Sequence, residues 1–183
     1  MPPCARNSEV VNMLTKMVLA VVGSSLMASP AVAREQDEAA VGSAHKVVLR
    51  VSHGCDGKPT VAIRVQIPEG VIAAKPMPGW KLDKVKGKYA KSYDYYETPL
   101  SEGVKEIAWS DGSLADDEYD EFVVRVMLTA DLPVGQMLYF PMVQECAGAI
   151  DRWIQIPAAG QSGDDLETPA PGVKLLPASG SDD

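Results

Sequence analysis

The stretch EFVVRVML, residues 121–128, alternates apolar and polar side chains, and this alternation is what most restricts the fold of the chain. Successive side chains of a strand point to opposite faces. Phe122, Val124, Val126 and Leu128 therefore share one side, with Arg125 opposite. The same period of two recurs in HKVVLRV, where Val47, Leu49 and Val51 turn inward against Lys46 and Arg50. In TVAIRVQIP, Val61, Ile63, Val65 and Ile67 fall on one face and Ala62, Arg64 and Gln66 on the other. MLYFPMVQ and DRWIQIP read alike, and Pro141 inside the former predicts an edge or a bulge, because proline cannot donate to a ladder. Turn residues recur between these segments in DGKP, PEG, MPG, SEG, SDGS, LPVG and AGA. No helical stripe of useful length follows residue 33. Seven to nine short strands with frequent turns predict an all-β, antiparallel β-sandwich.

The first 33 residues follow a different rule. Arg6 and Lys16 precede a mostly apolar run from Met17 to Ala28, and Ala31-Val32-Ala33 offers a small-x-small cleavage site. The run is too short to span a bilayer, and the layout is that of a secretory signal peptide. Met13 is an alternative start. The expected organisation is a signal peptide over 1–33, a sandwich domain over 34–157 and a Pro/Gly/Asp-rich tail over 158–183, its VKLL docked on the sandwich. The expected location is the periplasm or the exterior, and no second long apolar run supplies a membrane anchor. Removing Arg6, Lys16 and Glu9 from 17 basic and 25 acidic residues leaves 15 and 24, a net charge of −9. That charge argues against nucleic acid and anionic membrane surfaces as partners. Cys4 leaves with the signal peptide, so Cys55 and Cys146 remain, and an exported chain with two cysteines most simply forms one disulfide.

Few residues offer chemistry. VSHGCDG places His53 two positions from Cys55, a soft metal pair if the thiol is reduced and a turn beside half a disulfide if it is not. His45 is the other histidine, so a three-histidine zinc site is excluded. DGSLADDEYDEF carries five carboxylates from Asp116 to Glu121, without the spacing of an EF-hand loop. Met77, beside Trp80, is the one methionine placed in a turn where a thioether could be exposed. Serine–histidine–acid, P-loop and Rossmann patterns are absent, and no general base stands beside a nucleophile, so an enzyme is not expected.

The blocks LRVSHGCDGKPTVAIRVQIPEGV, KPMPGWKL, EGVKEIAWSDGSLADDEYDEF, LYFPMVQEC and RWIQIPAAGQ closely resemble the YcnI-like family of exported bacterial proteins, over about residues 40–176. The resemblance implies an immunoglobulin-like β-sandwich and a non-enzymatic role in copper binding or trafficking, with copper ion and other exported copper-handling proteins as partners. It also implies a Cu(II) site in which the histidine at the mature N-terminus chelates through its α-amine and ring. Nitrogen and oxygen donors in a flattened array suit that ion. Carried over by position, the glutamate ligand looks like Glu121 and the neighbouring tryptophan like Trp153. The chain departs from the pattern where the histidine should be: AVAREQDEAAVGS leaves Arg34 at the mature terminus. Three readings follow: a degraded copper site, substitution by His53, or a later cut that frees His45. A β-sandwich interaction module that has lost metal binding is the alternative function.

Overall fold

A computed structural model describes residues 37–69, 73–74 and 76–180; the expected signal peptide lies outside them. Eleven strands are present among the described residues: β1 (Asp37–Ala40), β2 (Ala44–Val51), β3 (Thr60–Gln66), β4 (Ala73–Ala74), β5 (Lys81–Tyr95), β6 (Thr98–Ser110), β7 (Asp120–Met127), β8 (Met137–Tyr139), β9 (Met142–Cys146), β10 (Ala149–Trp153) and β11 (Gly172–Leu176). They form a five-stranded sheet in the order β10-β9-β3-β6-β5 and two three-stranded sheets, β2-β7-β4 and β1-β11-β8.

The alternation seen in the sequence builds the core. β2 and β7 pair antiparallel over eight residues, so Val47 faces Val124 and Leu49 faces Phe122. All four are at most 3% exposed. Each such side chain contributes about 1.5–3 kcal/mol by leaving water. Ile63 and Val65 of β3, Ile107 and Trp109 of β6 and Met142 of β9 meet them from the five-stranded sheet. The sheets thus enclose one sandwich core.

The alternation breaks at the start of β3, where the register shifts between Thr60 and Ala62. Thr60 and Ala62 are buried and Val61 is only half-buried, so Val61 is not the inward residue its spacing predicts. A bulge adds one residue and reverses the facing of what precedes it. Pro141 ends the predicted strand MLYFPMVQ in the middle: β8 before it pairs with β11, and β9 after it pairs with β3.

Three arrangements exceed the sequence reading. First, VKLL does more than dock on the sandwich. It lies in β11, the centre of its sheet, with Val173 and Leu175 each 1% exposed. β11 pairs with β1 in parallel, whereas the other strand pairs among the described residues are antiparallel. Second, the chain changes sheets within one residue. Val41 N–H donates to Leu176, and Gly42 N–H donates to Leu128 at 2.6 Å, with Gly42 at φ 76°. Glycine adopts that conformation without a Cβ clash.

Third, residues 81–110 form a hairpin of 15- and 13-residue strands. SEG, predicted to turn, lies inside β6: Gly103 faces Gly87, and a Cβ on Gly103 would stand 1.7 Å from the Tyr89 hydroxyl oxygen. That glycine serves close packing. The turn itself is Tyr96-Glu97, at φ 50° and 64°. A two-residue hairpin of this kind needs positive φ at both positions and favours Asn-Gly or Asp-Gly. Asp56-Gly57, at φ 51° and 72° between Cys55 and Lys58, follows that rule. Tyr96 and Glu97 do not, at a cost of roughly 1–2 kcal/mol each.

Candidate functional site

The histidine–cysteine pair sits where the β2–β3 connection meets β9. A disulfide joins Cys55 to Cys146 across a Cα–Cα distance of 5.8 Å, and both residues are buried. Of the two readings of VSHGCDG, this is the half-disulfide. Beside the bond, Gln144 of β9 is 2% exposed. Its amide donates to His53 O at 2.7 Å and Thr60 Oγ1 at 2.8 Å, and its Oε1 accepts from Trp153 Nε1 at 3.2 Å. A buried amide with every group partnered fixes its neighbours, whereas a half-satisfied one would be costly. Gln144 thereby sets both the His53 loop and the Trp153 indole.

His53 is exposed, its ring centroid 6.1 Å from that of Trp153. His53 Nδ1 lies 2.7 Å from Gly54 O, a carbonyl that can only accept. Nδ1 therefore carries the proton in the neutral ring and Nε2 carries the lone pair. Gly54 N–H donates to Asp116 Oδ1 at 3.0 Å. A Cβ on Gly54 would stand 1.9 Å from Lys58 O, so the position requires glycine.

Trp153 is half-buried against the core, the residue's ordinary fate in a sandwich. Glu121 is directed elsewhere. Its cross-strand neighbour is Arg50, and the adjacent pair, Leu49 and Phe122, fills the core. Strand alternation therefore puts Glu121 on the outer face of the β2–β7 sheet. Its Oε1 accepts from the Tyr119 hydroxyl at 2.7 Å and lies 3.7 Å from Arg50 Nε. The carboxylate holds the Tyr119 phenol above its ordinary pKa by accepting its hydrogen bond.

The described residues hold only the Glu121 and Trp153 part of the copper centre that the resemblance implies. The Glu121 carboxylate is engaged by a phenol and a guanidinium, and the Trp153 indole is bonded to Gln144. Among the described residues, no three His, Cys, Asp or Glu side chains group to hold a metal. The expected mature terminus, Arg34, lies outside the described residues. His45 is tied to Asp37 of β1 at 2.9 Å. A cut that freed His45 would excise β1, whose Ala39 is 6% exposed in the core. Met77 packs against the core with Trp80 and is not a free thioether.

The acidic run serves the turn before β7. Besides Asp116, Glu118 accepts from Ala115 N–H and Asp120 from Glu121 N–H. Glu69 is a residue the sequence reading passed over. It accepts from Lys105 Nζ at 2.8 Å, Tyr93 Oη at 2.8 Å and Ala90 N at 2.9 Å, fastening the β3–β4 connection to the hairpin. The lysine, the phenol and the amide, in that order, lower its pKa to about 2. Tyr93 is pushed up to about 12, first by burial and then by its bond to Glu69. Neither Gln144 nor Glu69 stands out by spacing; each is recognised only once its partners converge.

A family described as "Domain of unknown function (DUF1775)" matches residues 32–175. A crystal structure of an uncharacterized protein from Nocardia farcinica, described as revealing an immunoglobulin-like fold, superimposes with a TM-score of 0.56 at 25% identity. The match covers 75% of this chain and 92% of that one. The sandwich is accordingly immunoglobulin-like. No curated protein matches the chain.

Proposed function

The chain belongs to the DUF1775 family, and from that premise we propose that it is an exported, non-enzymatic β-sandwich that works as a protein-interaction module. The observation that carries this reading is the placement of Glu121. In the YcnI-like resemblance that residue and Trp153 share a copper site, whereas here Glu121 points outward and is held by Arg50 and Tyr119. The missing N-terminal histidine agrees with that geometry. What is retained is a rigid scaffold: the core, the disulfide and the Gln144 network. A rigid scaffold is what a docking function requires.

The experiment is affinity capture from periplasmic extract, with and without added copper, using the processed, oxidised protein. The expected result is one protein retained under both conditions, whose complex re-forms from purified components. Retention only with copper, or no specific partner, would reject the reading.

A second reading, copper held by substitution at His53, has one observation in its favour. The Nδ1 bond to Gly54 O leaves the Nε2 lone pair for a metal, an arrangement common among histidine ligands. The Trp153 ring beside it would favour a cation. His53→Ala would then abolish Cu(II) uptake, whereas under the interaction reading there is no specific uptake to abolish.

A further inference from the structure

Building on the interaction reading, we infer that the free edge of the β5–β6 hairpin is the docking surface, and that its occupant is an extended acidic segment of another polypeptide. β5 ends the five-stranded sheet, and among the described residues no strand pairs with its outer side. Apart from Ala90 N–H, which Glu69 takes up, such an edge presents backbone donors and acceptors to an added strand. Its charge selects what can be added. β5 carries five lysines and two aspartates within a chain of net charge −8, so the local sign opposes that of the whole.

Two of those lysines are engaged, Lys81 with Asp83 and Lys91 with Asp131. Lys84, Lys86 and Lys88 are exposed and make no ion pair among the described residues. They face Ile107, Val104 and Glu102 across the hairpin and recur at every second residue. That repeat, about 6.6 Å, is the spacing of same-face side chains along a strand. Edge lysines work against pairing with apolar strands, which would have to bury the charges, and repel cationic ones. The same row attracts a strand carrying carboxylates at alternate positions.

The hairpin tip is an independent observation. Tyr96 and Glu97 hold positive φ where glycine and asparagine are favoured, and Tyr96 is 67% exposed with its ring 4.7 Å from that of Tyr95. Backbone strain retained at an exposed aromatic residue is a mark of a functional position, and tyrosine is a common interface anchor. The row and the tip lie on one hairpin, charge along its edge and aromatic area at its end.

The test is an amide chemical-shift titration of the oxidised, processed protein with a peptide of about ten residues alternating valine and glutamate, a length that spans the edge. The expected shifts are confined to β5 and the tip. Affinity should fall at least about tenfold in K84Q/K86Q/K88Q and weaken with added salt. A peptide with lysine in place of glutamate should leave the spectrum unchanged. Y96N/E97G, which gives the turn its preferred residues, should bind several-fold more weakly while melting at a higher temperature. An unchanged spectrum, equal binding by the triple variant, or binding to anionic lipid vesicles without binding to the peptide would each overturn the proposal. If extract capture retains the same partner equally on wild type and K84Q/K86Q/K88Q, this surface is refuted and the interaction reading stands.

Discussion

Replacing both cysteines, C55A/C146A, should cost a large part of the stability of this domain. The bond spans 91 residues of sequence. Closing a loop of that length removes about 4–5 kcal/mol of chain entropy from the unfolded state. Domains of this size are stable by only about 5–15 kcal/mol, so the loss is roughly a third of the highest such value and nearly all of the lowest. The bond joins the β2–β3 connection to the end of β9, so its loss also loosens the ground under the Gln144–His53 and Gln144–Trp153 hydrogen bonds. Alanine keeps the two sites apolar, which limits the change chiefly to the unfolded chain. Urea unfolding followed by tryptophan fluorescence should show the midpoint falling, and the slope should steepen as the unlinked chain exposes more surface. The melting temperature should drop by about 10–20 °C. Wild type in reductant should match the variant. A loss under about 1 kcal/mol with an unchanged slope would refute the loop-entropy reasoning.

Glu69 predicts the acid behaviour. Its folded pKa of about 2 lies below the ordinary 4.5, so the stability it contributes is present above about pH 4.5 and lost as pH falls toward 2. Glu69→Gln should flatten that part of the stability–pH curve; an identical curve would show the network to be energetically silent. Tyr93 acts at the other end: its pKa near 12 against an ordinary 10 means that stability falls as pH rises between those values. Absorbance titration of Tyr93→Phe should lose the highest phenol step. At Gly112 a Cβ would lie 2.2 Å from the Trp80 ring, which meets Phe122 edge-on at 5.0 Å. Gly112→Ala should therefore cost about 1–3 kcal/mol by overpacking, with a shift in tryptophan emission; an unchanged melting temperature would contradict the packing.

The fold was legible where period-two alternation is unbroken. Phe122, Val124, Val126 and Leu128 are all fully buried, as their spacing predicts. It failed where a local device reverses the pattern, as the bulge beside Val61 does. It also failed where the strand is mostly exposed: KLDKVKGKYAKSYDY has no apolar face to announce it, since β6 alone holds it in the sheet. β11 was underestimated because its second neighbour, β1, pairs with it from 136 positions earlier in the sequence, as the Lys174–Glu38 contact records. At the site, counting cysteines identified the disulfide. Position in the resemblance brought Glu121 and Trp153 forward, but it could not say which face each would occupy. That depended on the alternation running through Phe122 on one strand and Gln144 on the other.

Titration of the correctly processed, oxidised protein with Cu(II), followed by electron paramagnetic resonance, tests the central claim most directly, because the claim turns on whether the chain assembles a copper donor set. At one equivalent the account predicts the spectrum of the unbound ion, identical for wild type, Glu121→Gln and His53→Ala. An axial signal with resolved nitrogen coupling, lost in either variant, would contradict it.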